Sequence, residues 1–297
     1  MGPIARCRPT EMNASPFAAT PAMSYNTRPI SHLEAFMDHL QTGKLWEDNA
    51  DAWTAMVRAG YDIYRDCLNT PAFLAMLPDV SGQRGLDLGC GEGHNTRLLA
   101  RRGAAMTGLD IAGRFLHHAR QAETAEPLDI RYVQGSGLEL PFAPASFDFV
   151  TAFMSLMDMP ETERVLAEVH RILTPGGFLQ FSITHPCTDV PIRRKVKDAK
   201  GRDVAITLGG YFQQLSGQVE EWSFSAAPPA VRQRWPAFKI PRYNHTLSQW
   251  LNMLITAGFV IARVGEPAPD ERTLERCPHL ADARTMPYFL HIRAQKS

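Results

Sequence analysis

The 297-residue chain lacks the features that mark several classes of protein. It has no apolar run near the ~20 residues that a membrane-spanning helix requires, so no membrane partner is expected. It has no excess of one charge, since 31 Lys and Arg balance 31 Asp and Glu, which argues against a broad basic face for nucleic acid. Its composition is that of one large globular domain, or of one domain with an insertion.

Cysteine is also scarce and scattered. The five cysteines are odd in number and form no C-x-x-C pair. Neither a disulfide framework nor a zinc site is therefore expected, and no metal is assigned. From this we expect a reducing, cytoplasmic location.

The first residues have the composition of a disordered leader. Residues 1–29 hold five prolines and show little periodicity. The three arginines and one acidic residue faintly resemble a transit peptide, but a disordered tail, or a start codon assigned too far upstream, fits the composition better. The segment has no apolar stretch of the kind that marks a secretory signal.

Residues 30–80 are predicted to form an N-terminal helical cap. Ser31–Glu34 has the spacing of a capping box, in which two side chains satisfy free backbone N–H groups. Aromatic and apolar residues then recur at three- and four-residue steps and predict one helix over 46–68. Pro71 and Pro78 should mark its end.

From residue 84 onward, short apolar strands alternate with amphipathic helices. The predicted strands are 85–88, 105–109, 130–133, 147–152 and 178–184, and the predicted helices are 95–102, 115–123 and 161–173. This alternation predicts an α/β fold with a doubly wound parallel sheet that is covered on both faces. Residues 81–185 are assigned to this core.

Residues 186–245 interrupt the alternation. Seven aromatic residues fall between Tyr211 and Tyr243, in a chain that is 9% aromatic, and a basic run lies at 193–197. This density favours a substrate lid inserted after the fifth strand, although the insertion's own hydrophobic core is an equal alternative. Residues 246–297 then complete the core with a helix and a pair of strands.

The strongest chemical signal lies between the first strand and the first core helix. Here the sequence reads D-x-G-x-G-x-G from Asp87 to Gly93, and glycine lets a backbone approach a ligand closely. The dinucleotide fingerprint fails at His94, and the lysine of phosphate-binding loops is absent. Asp110, at the end of the next strand, can accept hydrogen bonds from two ribose hydroxyls; capping of the next helix is the alternative.

Four sequence blocks resemble the class I S-adenosylmethionine-dependent methyltransferases, and in particular their small-molecule, type 11 members related to quinone-biosynthesis enzymes. The blocks are 86–93, 108–110, 134–150 and 171–178, in the family's order and spacing. The resemblance implies a Rossmann-like, seven-stranded sheet whose last strand is antiparallel. It also implies S-adenosylmethionine as the cofactor, S-adenosylhomocysteine as the product, and no metal.

The resemblance further implies which residues contact the cofactor. They are Asp87, Gly89, Cys90, Gly91, Gly93, Asp110, Ile111, Ser136, Gly137 and Phe153. One of them departs from the family, because Ser136 stands where an Asp usually accepts a hydrogen bond from the adenine amino group. A hydroxyl accepts without the help of a charge, so we expect that contact to be weaker.

Three residues are candidates for a catalytic role. His185, in a His-Pro pair after the fifth strand, should lie near the methyl position, because strand carboxyl ends line the ligand crevice. His245 and Tyr243 lie in a segment that resembles small-molecule members of the family. A strand cap for His185 and a helix cap for His245 stay open, and Asp158 is a further candidate.

The predicted function is methyl transfer to a small-molecule acceptor by in-line displacement. The strand-four end at 153–158 lacks the Asn/Asp-Pro-Pro-aromatic signature of enzymes that methylate bases or glutamine, so nucleic acid is not an expected partner. A non-catalytic cofactor-binding or scaffold protein on the same fold is the main alternative, and aminopropyl transfer is a second. The acceptor atom, the need for a general base and a homo-oligomeric state stay open.

Overall fold

The computed structural model describes residues 37–199, 201 and 203–297. The leader predicted at 1–29 and the capping box predicted at Ser31–Glu34 lie outside this part of the chain. Helix α1 (His39–Arg58) starts from a capping box formed by Asp38 and Gln41, in which each side chain accepts from the other residue's backbone N–H. No helix within the described residues is both long and apolar enough to cross a bilayer.

The helix predicted over 46–68 is broken in the structure, so that prediction is wrong. α1 ends just before Gly60, whose φ of +78° favours glycine. The chain then forms a short π-helical turn at Arg65–Asn69 that runs directly into α2 (Thr70–Met76). Pro71 therefore lies near the start of α2 instead of marking the end of a helix.

The core elements follow the predicted alternation, with bounds that shift by a few residues. In chain order they are β1 (Arg84–Leu88), α3 (His94–Ala100), β2 (Ala105–Asp110), α4 (Gly113–Ala125), β3 (Arg131–Gln134), β4 (Phe147–Phe153), α5 (Thr162–Ile172) and β5 (Leu173–Thr184). The five strands pair in parallel, with β1 between β2 and β4. Leu86, Val150 and Phe181 are fully buried, as expected for a parallel sheet covered on both faces.

Residues 186–245 form two antiparallel hairpins instead of extending this sheet. Their elements are β6 (Ile192–Lys197), β7 (Asp203–Gly209), β8 (Ser216–Trp222), α6 (Pro229–Arg232) and β9 (Phe238–Tyr243), with β6 paired to β7 and β8 to β9. Phe224 and Phe238 of the insertion are buried in one cluster with Met56 and Val57 of α1. The insertion and the N-terminal helix therefore share a hydrophobic core.

The C-terminal segment completes the main sheet. It contains α7 (Leu247–Thr256), β10 (Phe259–Gly265), α8 (Glu271–Arg276), a 3₁₀ helix at Pro278–Arg284 and β11 (Phe289–Lys296). β11 is antiparallel to both β5 and β10, and the strand order is β3-β2-β1-β4-β5-β11-β10. The predicted Rossmann-like α/β fold with an antiparallel last strand is confirmed.

Two cysteines form a disulfide bond that the sequence did not indicate. Cys67 in the π-helical turn and Cys277 after α8 are 210 residues apart in the sequence, and their Cα atoms lie 6.7 Å apart. No spacing rule pairs cysteines this distant, because only the tertiary fold brings them together. The expectation of no disulfide is therefore wrong, and the reducing location inferred from it loses its basis.

Candidate functional site

A cavity of about 670 Å³ opens at the carboxyl ends of β1, β2 and β4. Gly89, Asp110 and Phe153, which end or follow these strands, line it. Trp46 and Trp53 of α1 line it as well, together with residues of the insertion. The order of the strands explains this position, because the chain winds in opposite directions from β1 and from β4, and open α/β sheets bind ligands beside such a switch.

The turn between β1 and α3 leaves space beside one of its glycines. Gly89, Gly91 and Gly93 have φ values of +70°, +54° and +84°, which residues with side chains rarely adopt. A Cβ on Gly89 would lie 2.5 Å from the Cβ of Ser155, and a Cβ on Gly93 would lie 2.5 Å from the hydroxyl of Tyr132. A Cβ on Gly91 would meet no protein atom within 4 Å. The cavity therefore reaches the backbone at Gly91.

Asp110 lies at the end of β2 with its carboxylate against this turn. One oxygen accepts from the Gly91 N–H at 2.8 Å, and the other accepts from the Ala112 N–H at 2.9 Å. Each oxygen of a carboxylate can accept a second hydrogen bond, so two acceptor positions are left for a ligand. Burial raises the pKa of Asp110 to about 6, although both backbone donors oppose this.

Asp87 lies at the end of β1 and connects three elements of the core. The Thr96 hydroxyl of α3 donates to its Oδ2 at 2.6 Å, and the Thr151 hydroxyl of β4 donates to its Oδ1 at 3.0 Å. Burial raises the pKa of Asp87 to about 6 despite these bonds. Asp87 therefore joins the end of β1 to α3 and β4, and it also lines the cavity.

The residues predicted to contact the cofactor converge on this cavity, with one exception. Those that line it are Asp87, Gly89, Cys90, Gly91, Asp110, Ile111, Ser136, Gly137 and Phe153. Gly93 does not line it and instead packs against Tyr132. The Ser136 hydroxyl accepts from the Leu138 N–H at 3.2 Å. Burial raises the pKa of the Cys90 thiol, which fits a neutral, packed side chain.

His185 does not line the cavity. Its side chain is buried, its Nδ1 accepts from the Cys187 N–H at 3.1 Å, and its Nε2 donates to Oε1 of Glu266 at 2.8 Å. Both ring nitrogens are thus occupied by the protein. This arrangement fits the structural alternative for His185 better than the catalytic one.

His245 and Tyr243 also lie outside the cavity lining. Nε2 of His245 is 3.1 Å from the Thr162 hydroxyl, and burial lowers the pKa of the imidazole. The Tyr243 hydroxyl donates to the Met37 carbonyl at 3.0 Å and lies 2.7 Å from the Thr42 hydroxyl. These contacts attach the end of β9 to α1 and α5, and they leave neither group directed at a ligand.

Among the charged residues that line the cavity besides those assigned to the cofactor are Asp158, which the sequence suggested only as a further candidate, and Arg242, which it did not suggest. Asp158 lines the cavity in the 3₁₀ turn after β4, and burial raises its pKa to about 8. Arg242 of β9 lines the cavity as well and pairs with Asp189 and Glu220. The sequence signal available for Arg242 was the alternation of side chains along β9, which places Arg242 and Tyr243 on opposite faces of the strand.

Aromatic side chains from α1 and from the insertion form one part of the cavity wall. Trp53 of α1 stacks on Trp222 of β8 with ring centroids 5.4 Å apart, and its edge-on contact with Phe224 is at 4.9 Å. All three line the cavity, whereas Trp235 lies outside the lining. We call Trp53, Trp222 and Phe224 the aromatic wall.

The fold and the site together define a class I S-adenosylmethionine-dependent methyltransferase fold, and the resemblance predicted from the sequence is confirmed. Residues 86–181 match the family described as a methyltransferase domain. The match runs from β1 into β5, and it includes the glycine turn, Asp110 and Phe153. This part of the chain is therefore similar to a methyltransferase domain.

Similar proteins include small-molecule methyltransferases. Fatty-acid O-methyltransferase of Mycolicibacterium smegmatis is 36% identical over 115 residues, which are 38% of this chain and 41% of that protein. 2-Phytyl-1,4-naphtoquinone methyltransferase of Thermosynechococcus vestitus is 42% identical over 113 residues, which are 36% of this chain and 49% of that protein. The chain thus spans less than half the length of these curated relatives.

A solved structure extends the likeness beyond the domain. The S-adenosylmethionine-dependent methyltransferase of Mesorhizobium loti aligns with a TM-score of 0.63 and 29% identity, and it covers 76% of this chain and 96% of its own. The likeness to this structure therefore extends outside residues 86–181.

Proposed function

We propose that this protein binds S-adenosylmethionine and transfers its methyl group to a small-molecule acceptor. The observation that carries the proposal is that the glycine turn and the aromatic wall line the same cavity. Transfer between two bound molecules requires that they meet in one space from which water is largely excluded. The relatives named for fatty-acid and naphthoquinone methylation support a small-molecule acceptor.

The residues at the glycine turn fit this cofactor. The open space at Gly91 would admit the part of the cofactor nearest the backbone, and the two remaining acceptor positions of Asp110 would take the ribose hydroxyls. Ser136 would accept from the adenine amino group. When bound, S-adenosylmethionine supplies a methyl group on a sulfonium, which is a leaving group that needs no acid. The chain's own contribution is then to align the acceptor and exclude water.

A ligand-induced melting shift followed by a turnover assay tests the proposal. Stabilisation by S-adenosylmethionine and S-adenosylhomocysteine, with transfer of radiolabelled methyl to a panel of phenols, amines and carboxylic acids, would support it. Stabilisation without transfer to any member of the panel would favour the non-catalytic alternative. Without stabilisation by either molecule, cofactor binding itself would be rejected.

Asp110→Ala is expected to weaken S-adenosylmethionine binding by roughly 1.5–3 kcal/mol, because charge-assisted hydrogen bonds to two ribose hydroxyls are lost. Isothermal calorimetry measures the change. Asp48→Ala, which removes an exposed acid from α1, is the matched control and should bind normally. Unchanged affinity in a folded Asp110→Ala protein would contradict the ribose role.

Trp222→Ala is expected to weaken acceptor binding while the affinity for S-adenosylmethionine holds. The indole is part of the aromatic wall, where it packs against Trp53, Phe224 and Phe238. Trp235→Ala removes a partly exposed indole outside the cavity and serves as the control. The readouts are KM for the acceptor and calorimetry for the cofactor. Equal acceptor KM in both variants would reject the lid role of the insertion.

A further inference from the structure

We propose that Asp158 accepts the proton of the methyl acceptor, and that the atom methylated is therefore a hydroxyl oxygen or an amine nitrogen. The inference rests on the proposed methyl transfer and gives it a catalytic residue and a chemical class of substrate. Three observations carry it: the place of Asp158 beside the glycine turn, its lack of a hydrogen-bond donor, and the charges that face it.

Asp158 is held close to the glycine turn by its neighbours on both sides. The Ser155 hydroxyl donates to the Leu88 carbonyl at 2.6 Å. A Cβ on Gly89 would lie 2.5 Å from Ser155 and 3.3 Å from Cε of Met159, so both residues pack on that glycine. The 3₁₀ turn Leu156–Asp158 lies between these two contacts. Asp158 therefore enters the cavity from the segment that packs against the cofactor motif.

The Asp158 carboxyl has no donor within the described part of the chain. It is 8% exposed, and neither a backbone N–H nor a side chain donates a hydrogen bond to it. Three other buried carboxyls of the cavity accept hydrogen bonds: Asp87 and Asp110 accept two each, and Asp282 accepts from Tyr64, Tyr288 and Lys195. The fourth, Asp189, is ion-paired with Arg242. Its oxygens are not fully enclosed by protein atoms and Asp158 lines the cavity, so a bound ligand that donates a hydrogen bond can reach them.

The groups that face Asp158 tune it for proton transfer. Burial raises its pKa to about 8, and the positive charge of Arg242 from β9 acts in the opposite direction. Arg242 also forms ion pairs with Asp189, which follows β5, and with Glu220 of β8. These two carboxylates offset part of the positive charge that would otherwise lower the pKa of Asp158. Tyr243 is also near. A base whose pKa lies near the working pH combines availability with proton affinity.

The proposed step balances without a further reactant. The Asp158 carboxylate takes the proton of the acceptor O–H or N–H while a lone pair of that atom bonds to the methyl carbon. The carbon–sulfur bond breaks, and its electron pair stays on sulfur in neutral S-adenosylhomocysteine. Asp158 then releases the proton to solvent.

The inference is tested with Asp158→Asn, which keeps the shape of the protonated side chain. Catechol, 4-hydroxybenzoate and phenethylamine serve as acceptors that carry a proton, and octanoate as one that is already ionised. We expect kcat on the first three to fall roughly 10²–10⁴-fold and the affinity for S-adenosylmethionine to hold. The wild-type rate should rise with pH through about pH 8, and this rise should be lost in the variant. Glu161→Gln, an exposed acid three residues away, should change neither quantity.

A stability measurement provides a readout that does not depend on turnover. Folding raises the pKa of Asp158, so the folded protein holds a proton there that the unfolded chain has lost. The stabilisation that this proton gives to the folded state is complete below about pH 4 and is lost as the pH rises through about 8. Asn does not titrate, so the Asp158→Asn protein has no such loss of stability. The melting temperature of the variant minus that of the wild type should therefore increase as the pH rises from about 4 to about 8. A constant difference across this range would overturn the assignment.

The possible failures are distinguishable. If the wild-type protein binds S-adenosylmethionine and methylates no acceptor of the panel, the proposed function fails and the inference fails with it. If turnover occurs and Asp158→Asn keeps at least half of it with the wild-type pH profile, only the inference fails. Methylation confined to octanoate would also overturn it, since that acceptor has no proton to give.

Discussion

Gly91→Val is expected to abolish the binding of S-adenosylmethionine in a protein that still folds. The Cβ of the new side chain would meet no protein atom within 4 Å, so the side chain would extend into the space open to the ligand. The φ of +54° is unfavourable for valine and should lower the free energy of unfolding by roughly 1–3 kcal/mol. Calorimetry with S-adenosylmethionine gives the binding result, and thermal unfolding gives the stability.

Gly176→Val is the matched control for this prediction. Gly176 has a φ of +75° and nothing within 4 Å of its Cβ position, but it does not line the cavity. It should therefore show a similar loss of stability with full cofactor affinity. If Gly91→Val also bound with wild-type affinity, the cofactor would have to lie elsewhere.

Cys277→Ser is expected to lower the free energy of unfolding by about 2–5 kcal/mol. The bond to Cys67 closes a loop across a separation of 210 residues, and a cross-link this long restricts the unfolded chain strongly. Both partners adjoin segments that line the cavity, through Tyr64 and Asp282. Chemical denaturation of the two proteins under oxidising conditions measures the difference.

Cys187→Ser is the control for the disulfide, because Cys187 is an exposed free thiol. Its free energy of unfolding should equal that of the wild type. Dithiothreitol should bring the wild type to the level of Cys277→Ser and leave that variant unchanged. A wild-type protein that lost no stability on reduction would show that the bond contributes nothing.

The half of the site that we propose binds the cofactor was predictable because its signals are local. The D-x-G-x-G-x-G turn and Asp110 each lie at the end of a short apolar strand, and strand alternation brings such ends to one edge of a sheet. No tertiary information is needed to place them together. A local signal was misleading for the helix over 46–68, where the helical periodicity of the apolar residues was given more weight than the single glycine at 60.

The half that we propose binds the acceptor was less predictable, because its residues meet only through tertiary packing. His185 does follow β5, but its backbone N–H donates to the Tyr288 carbonyl, and its ring pairs with Glu266 away from the cavity. Arg242 reaches Asp189 from an inserted hairpin whose position relative to the sheet has no sequence signal. The pairing of two distant cysteines depends on the same kind of contact.

The position of β11 has a consequence for how the protein folds during synthesis. β11 lies between β5 and β10, so β10 has no neighbour in the sheet until Phe289–Lys296 has left the ribosome. The five parallel strands, which precede residue 185, can pair while the later segments are still being made. Until β11 inserts, the edge of β5 presents unpaired backbone groups to other chains. The nascent protein is therefore most prone to aggregation in this interval, which makes the edge of β5 the expected site of chaperone contact.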